Sequence, residues 1–167
     1  HEDRQLTAKY VGDQVTRNLH RNMGQPIAHG TWVVLYLNGE FWGLYNLTER
    51  IDLQFMRSYS DKDGDWDVIT KEGGWNDQGE WFVIEEAKDG GDWGWLENQS
   101  WVGSADFTIP GNIGGLEWRV DMENIFSYTF LLAYVQDMEW PESNWYVYRR
   151  YDAGAVGSER QWRMMVW

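Results

Sequence analysis

The chain has 167 residues, 43% of them hydrophobic and 13 of them tryptophan, with a formal net charge of −13. That length buries one core, and a chain so rich in aromatic rings is not a disordered one. The acidic surface repels phosphate backbones and anionic lipid, which argues against nucleic-acid binding and membrane-surface docking. An anionic nucleotide needs a metal ion or a local basic cluster to approach it. With no cysteine there are neither disulfides nor thiolate zinc sites, and no apolar run is long enough to span a membrane.

Residues 6–22 read as an amphipathic helix, with Leu6, Tyr10, Val11, Val15 and Leu19 at helical spacing. Arg4, Lys9, Arg17 and Arg21 fall on its other side, as a solvated helix face or as a phosphate-facing one. Trp32 to Leu37 and Glu40 to Leu47 are two β-rich runs joined by Asn38-Gly39, which predicts a hairpin closed by a type I′ turn. Both faces of its strands are apolar, so cover on both sides is expected. Gly43 inside the second strand predicts a bulge or a close approach.

Glu49 to Tyr59 reads as a short helix with Ile51, Phe55 and Met56 as its contacts, followed by a loop at 60–65 and a strand from Trp66 to Lys71. Residues 72–115 are rich in Gly, Asp and Trp, with one short helix expected near 80–88. Asp121 caps a helix at 122–136 that is apolar almost all round, the pattern of a buried central helix ending at Asp137. Beyond Pro141 come two strands, near 144–150 and 161–167, joined by a turn containing Gly154 and Gly157.

The segment from Asp137 onwards carries the most chemistry. Phosphoryl transfer needs a carboxylate near the attacking hydroxyl and oxygen ligands that hold magnesium against the phosphates. An aspartate at a helix end, then Asn144 opening a strand, then a second strand, follows the order that protein kinases use. On spacing alone the signal is weak, because Asp and Asn in loops commonly make turns.

The run Leu37-Asn38-Gly39-Glu40-Phe41-Trp42-Gly43-Leu44-Tyr45-Asn46-Leu47-Thr48-Glu49 closely resembles the hairpin signature of the CotH proteins, the spore-coat kinase family, with its L-N-G-x-[YF]-x-G-x-Y pattern and following Glu. Asp137-Met138-Glu139-Trp140-Pro141-Glu142-Ser143-Asn144 through Arg149 resembles that family's D-W-P-x-N-N-x-x-x-Y-R segment, and Trp162 to Trp167 resembles the run into its W-D motif. These matches frame residues 13–167, with 72–118 matching loosely as an insert. The resemblance implies a divergent kinase-like fold that transfers the γ-phosphate of ATP to Ser or Thr of secreted or coat proteins. It assigns Asp137 as the catalytic aspartate orienting the acceptor hydroxyl and Asn144 as a metal-side residue. Lys71 resembles the family's Y-K element and would pair with nucleotide phosphates, unless it is a solvated strand-end lysine. Glu49 would orient Lys71 as a helix glutamate does in kinases, or form a surface ion pair with Arg50 or Lys71. Ser143 departs from the usual Asn-Asn pair. The principal magnesium ligand is expected directly after Trp167, so the chain reads as one domain incomplete at both ends and unable by itself to hold magnesium properly.

Two rival readings come from composition. Asp61 to Glu72 mimics an EF-hand loop, with acids at positions 1, 3, 5, 7 and 12, but Trp66 stands where the loop needs glycine and Gly73-Gly74 replaces the exit helix. An irregular calcium site in that loop stays open. The tryptophans at 75, 81, 93, 95, 101 and 118 either stack on glycans or pack a loop-rich insert. The three histidines have no metal-ligand spacing. The reading is therefore an α+β chain of kinase-like fold, an atypical protein Ser/Thr kinase using ATP and Mg²⁺ or Mn²⁺. Its partner would be a Ser/Thr-bearing protein, and its location extracellular or in a cell-surface coat. The alternatives are a non-catalytic extracellular structural or adhesion module and a carbohydrate binder.

Overall fold

A computed structural model describes residues 11–60, 64–71, 83–86, 91–137, 145–150, 154–155 and 157–166. The order is α1 (Gly12–Asn22), β1 (Gly30–Leu37), β2 (Glu40–Thr48), α2 (Leu53–Ser60), β3 (Trp66–Lys71), β4 (Val83–Glu86), α3 (Gly91–Ser104), α4 (Pro110–Arg119), α5 (Met122–Val135), β5 (Trp145–Arg150), a 3₁₀ turn (Gly157–Arg160) and β6 (Arg163–Met165). The architecture is α+β. β1 and β2 form a hairpin on their own, and an antiparallel sheet runs β4-β3-β5-β6.

Side chains alternate across that sheet, and each face meets a different layer. Val68, Tyr146, Tyr148 and Met165 pack against Ile51, Leu53, Phe55 and Met56, around α2. Ile69, Trp145, Val147 and Met164 pack against Tyr128, Leu131 and Leu132 of α5 and Trp95 of α3. The predicted strand at Trp66–Lys71 is therefore the two-sided centre of the core.

The hairpin turns through Asn38 (φ 51°) and Gly39 (φ 84°), the two positive dihedrals a type I′ turn demands. Leu35 faces Gly43 but Tyr36 faces Phe41, so Trp42 is the extra residue of a bulge. Gly43 sits beside it at φ +140°, and a Cβ there would stand 3.3 Å from the Tyr45 ring. The expected cover on both faces is not found. Val34, Tyr36, Phe41, Trp42 and Leu47 are each more than half exposed. Among the described residues the two strands pair only with each other, and α1 engages the hairpin near its root, where Arg17 bonds Asn46.

α1 keeps only part of the face read from periodicity: Leu19 packs against the core and Arg21 is exposed. Val11 and Val15 are exposed, while Arg17 is 3% exposed and His20 fully buried. Leu6 and Tyr10 lie outside the described residues. Acceptors on β2 and on α1 itself accompany the burial of Arg17. The Arg17 guanidinium donates to Asn46 Oδ1 on β2 and to Gln14 Oε1 (3.0 Å), while its Nε has no hydrogen-bond partner among the described residues, so its burial is compensated in part. Desolvation still lowers its pKa.

His20 lies edge-on to Tyr128, ring centroids 6.0 Å apart, and neither ring nitrogen has a hydrogen-bond partner among the described residues. Burial lowers its pKa from 6.5 to about 4. Between those values the unfolded chain binds the proton that the folded one refuses, so stability is full above pH ~6.5 and falls as pH drops towards 4. The size is at most on the order of 3 kcal/mol. His20→Phe, which keeps a ring against Tyr128, should flatten the pH dependence of the urea midpoint across that window. Equal slopes for the two proteins would refute this.

α2 starts later than the reading of 49–59, because Asp52 accepts the Phe55 N–H at 2.9 Å and fixes the first turn. The helix expected near 80–88 is instead β4, whose register pairs Ile84 with Ile69 and Val83 with Thr70. An available sheet edge outweighs the local helical pattern. The stretch read as loops holds α3 and α4, and their glycines mark close packing. A Cβ at Gly94 would meet the Arg149 guanidinium at 2.7 Å, and one at Gly115 the Trp101 ring at 2.9 Å.

α5 matches its predicted span but not its predicted burial. Tyr128, Leu131 and Leu132 are buried, whereas Phe126, Phe130 and Tyr134 make an exposed stripe. The sheet covers one side of the helix, and no described element covers the stripe. Leu132→Ala, at a position 4% exposed, is expected to cost about 3 kcal/mol. Phe130→Ala, at 68% exposed, should stay within about 0.5 kcal/mol. Urea denaturation of the two variants checks this, and similar losses would mean that the stripe is covered in solution.

Candidate functional site

Asp121 builds the helix that ends at Asp137. Its carboxylate accepts the Asn124 N–H (3.1 Å) and meets Arg163 Nε (2.9 Å). The Asp121 N–H donates to Trp162 O (3.0 Å), and the Trp162 N–H to Arg119 O (2.9 Å). One turn further on, Asn124 bonds the Met164 backbone. α5 and β6 thus start side by side and run in the same sense.

At its far end α5 closes through Gln136 in the left-handed conformation (φ 58°). The Asp137 N–H returns to Leu132 O at 3.0 Å. With Gln136 N–H donating to Ala133 O, two of the last helix carbonyls are satisfied, and Asp137 is left exposed. Its charge reaches back to Tyr128, whose phenol is pushed up first by burial and then by Asp137.

Strand register fixes which residues share one end of the sheet. Lys71 pairs with Trp145, and Tyr146 with Met165. The C-terminal end of β3, the first residue of β5 and the exit of β6 therefore lie at one end of the sheet. Lys71 occupies that end by backbone position. Asn144 lies outside the described residues, and so does the 61–63 segment of the EF-hand-like loop, with Glu72.

Glu49 is elsewhere in the chain's local structure than expected. It is not on a helix but follows β2 at the hairpin root. Its Oε2 accepts the His29 N–H and meets His29 Nδ1, each at 2.8 Å, with both side chains half exposed. The His29 ring stacks on Tyr59, centroids 5.9 Å apart. The contact found for Glu49 is thus with His29; the Lys71 side chain lies outside the described residues.

Of the insert tryptophans, Trp95 is buried against Trp145 and Trp162. The Arg119 guanidinium lies 4.3 Å from the Trp101 ring centroid and 4.7 Å from that of Trp118, which is exposed. Trp75 and Trp81, like the side chain of Trp93, lie outside the described residues. An open concavity of about 500 Å³ is lined by Trp32, Trp42, Gly43, Leu44, Tyr45 and Asn46 on the hairpin.

Comparison with known families gives a match to the model described as CotH kinase protein, over residues 7–167. The chain belongs to the CotH kinase family. No curated protein matches it. CotH membership implies a kinase-type transferase working with ATP and a divalent metal ion. Among the described residues no group of three or more His, Asp or Glu could hold a metal, and Asp137 is an exposed carboxylate just past the end of α5. A metal ion would need oxygens beyond that one carboxylate. Nor does any described helix have the length and apolarity to cross a membrane.

Two features of this CotH chain escaped the sequence reading. One is the buried Asn124, whose signal was a carboxamide early in an otherwise apolar helix. The other is the ion pair of Arg149 Nε with Asp67 Oδ2 (2.8 Å), directly opposite each other on β5 and β3. Its signal was a charged residue within each strand.

Proposed function

We propose that this protein is an atypical protein kinase of divergent kinase-like fold, which transfers the γ-phosphate of ATP to Ser or Thr hydroxyls of proteins in an extracellular or coat setting. What supports the reading is that α5 runs with β6 towards the sheet end shared by Lys71, the entry to β5 and the exit of β6. An exposed carboxylate, Asp137, closes that helix. In this reading Asp137 accepts a hydrogen bond from the acceptor hydroxyl and aims its oxygen at the γ-phosphorus. The new O–P bond forms as the bond to the β-phosphate oxygen breaks, ADP leaves, and the hydroxyl proton passes to Asp137 or to solvent. Lys71 is assigned to the nucleotide phosphates and Asn144 to the metal side. A bound divalent ion supplies charge neutralisation at the phosphate oxygens.

The test is transfer of labelled phosphate from ATP by the full-length protein, to itself or to a panel of Ser/Thr peptides, with Mg²⁺ or Mn²⁺. Metal-dependent incorporation is expected. Its absence with both ions would replace this reading by that of a non-catalytic structural or adhesion module.

A further inference from the structure

β6 is an edge strand, and its outward-facing backbone groups are taken one after another by the segment that starts α5. At Trp162 the partners are the backbones of Arg119 and Asp121. Two residues on, at Met164, the partner is a side chain. Asn124 Oδ1 accepts the Met164 N–H at 2.6 Å, and Asn124 Nδ2 donates to Met164 O at 3.0 Å and to Gln25 Oε1 at 2.8 Å. The carboxamide thus does what a neighbouring strand's peptide group would do. It is 1% exposed, so those bonds face little competition from water. An apolar side chain there would leave both Met164 groups buried and unbonded.

We infer that Asn124 is a positioning residue, which locks the register of α5 on β6 and so holds Asp137 at a set place relative to the exit of β6. The inference rests on the kinase reading for its consequence in catalysis, though not for the clasp itself. The physical reason is leverage. Asn124 bonds the middle residue of β6, and the last residue of α5, Val135, lies about 16 Å further along the helix at helical rise, with Asp137 just beyond it. A slip at the clasp carries the whole helix end with it. Phosphoryl transfer depends on in-line placement, and a misplacement of about 1 Å costs on the order of a hundredfold in rate.

Asn124→Asp tests this in the full-length protein. It keeps the acceptor for the Met164 N–H and loses the donor to Met164 O and Gln25. In the folded variant kcat should fall about a hundredfold with the KM for ATP within about threefold of wild type. Hydrogen exchange should quicken both at Met164 and at the Asp137 amide. Values of kcat and KM within twofold of wild type overturn the inference, and so does a loss of activity that only tracks the folded fraction. If the aspartate variant does not fold, Asn124→Ser, small enough to admit a bridging water, is read in the same way. If the wild-type protein transfers no phosphate, the kinase reading fails and exchange alone decides. Faster exchange at Met164 with an unchanged Asp137 amide would then overturn the positioning role.

Discussion

Asp137→Ala is expected to lower kcat for phosphate transfer about a thousandfold while leaving the fold intact. A positioned acid–base group contributes about 10²–10⁴ in rate, and the carboxylate assigned to the acceptor hydroxyl has no substitute in an alanine side chain. The variant should fold because the bond that closes the helix end is a backbone one. Its closing bond runs from the Asp137 backbone N–H to Leu132 O, and alanine keeps the N–H. The side chain is exposed, so no cavity follows its removal. Because Asp137 acts in this reading on the acceptor and not on the nucleotide, the KM for ATP should move little and the loss should sit in kcat. A variant that transfers phosphate within tenfold of wild type would remove Asp137 from the chemistry. One that loses ATP affinity in step with rate would move it to the nucleotide instead.

The readable parts of the fold were those set by local chemistry. Asn38-Gly39 specifies its turn because two successive residues must take positive φ, and β3 and α5 fall close to their predicted spans. Long-range contact decided the rest. β4 was read as helix because its partner strand, β3, lies a dozen residues upstream and local pattern cannot see a sheet edge. α3 and α4 were read as loops because glycine is a poor helix former. Gly94 and Gly115 are tolerated because Arg149 and Trp101 close over them. Burial was the least legible quantity. Arg17 was read on a solvated or phosphate-facing helix face, yet it is buried, with Asn46 and Gln14 accepting from it. Phe126, Phe130 and Tyr134 were assigned to the core by their apolarity, yet no described layer reaches them. At the candidate site, family resemblance named Asp137, Asn144, Lys71 and Glu49. Register then put Lys71 at the sheet end to which α5 runs, and put Glu49 beside His29. No pattern in one sequence announces Asn124, because its role exists only once β6 lies against α5.

The Asp67–Arg149 pair should show the largest stability effects, and unequal ones. Asp67 is fully buried in the central strand, while the Arg149 side chain keeps 26% exposure and its guanidinium carbon stacks 4.3 Å from the Trp162 ring centroid. Breaking a buried pair by removing one partner costs about 3–5 kcal/mol, because the charge left behind has been taken from water without its compensation. Arg149→Met leaves a carboxylate deep in the sheet without its guanidinium and removes the stack on Trp162. It should fall at the upper end of that range. Asp67→Ala leaves a cation that still reaches solvent and still lies on the indole, where the interaction is worth about 1 kcal/mol, so it should fall at the lower end. Together, Asp67→Leu and Arg149→Met replace the pair by apolar contact between directly opposed strand residues, and the double variant should be more stable than Arg149→Met alone. Urea denaturation of the set supplies the cycle. Equal losses for the two single variants, or a double variant no better than the worse single one, would mean that the pair is hydrated and that the sheet holds its register without it.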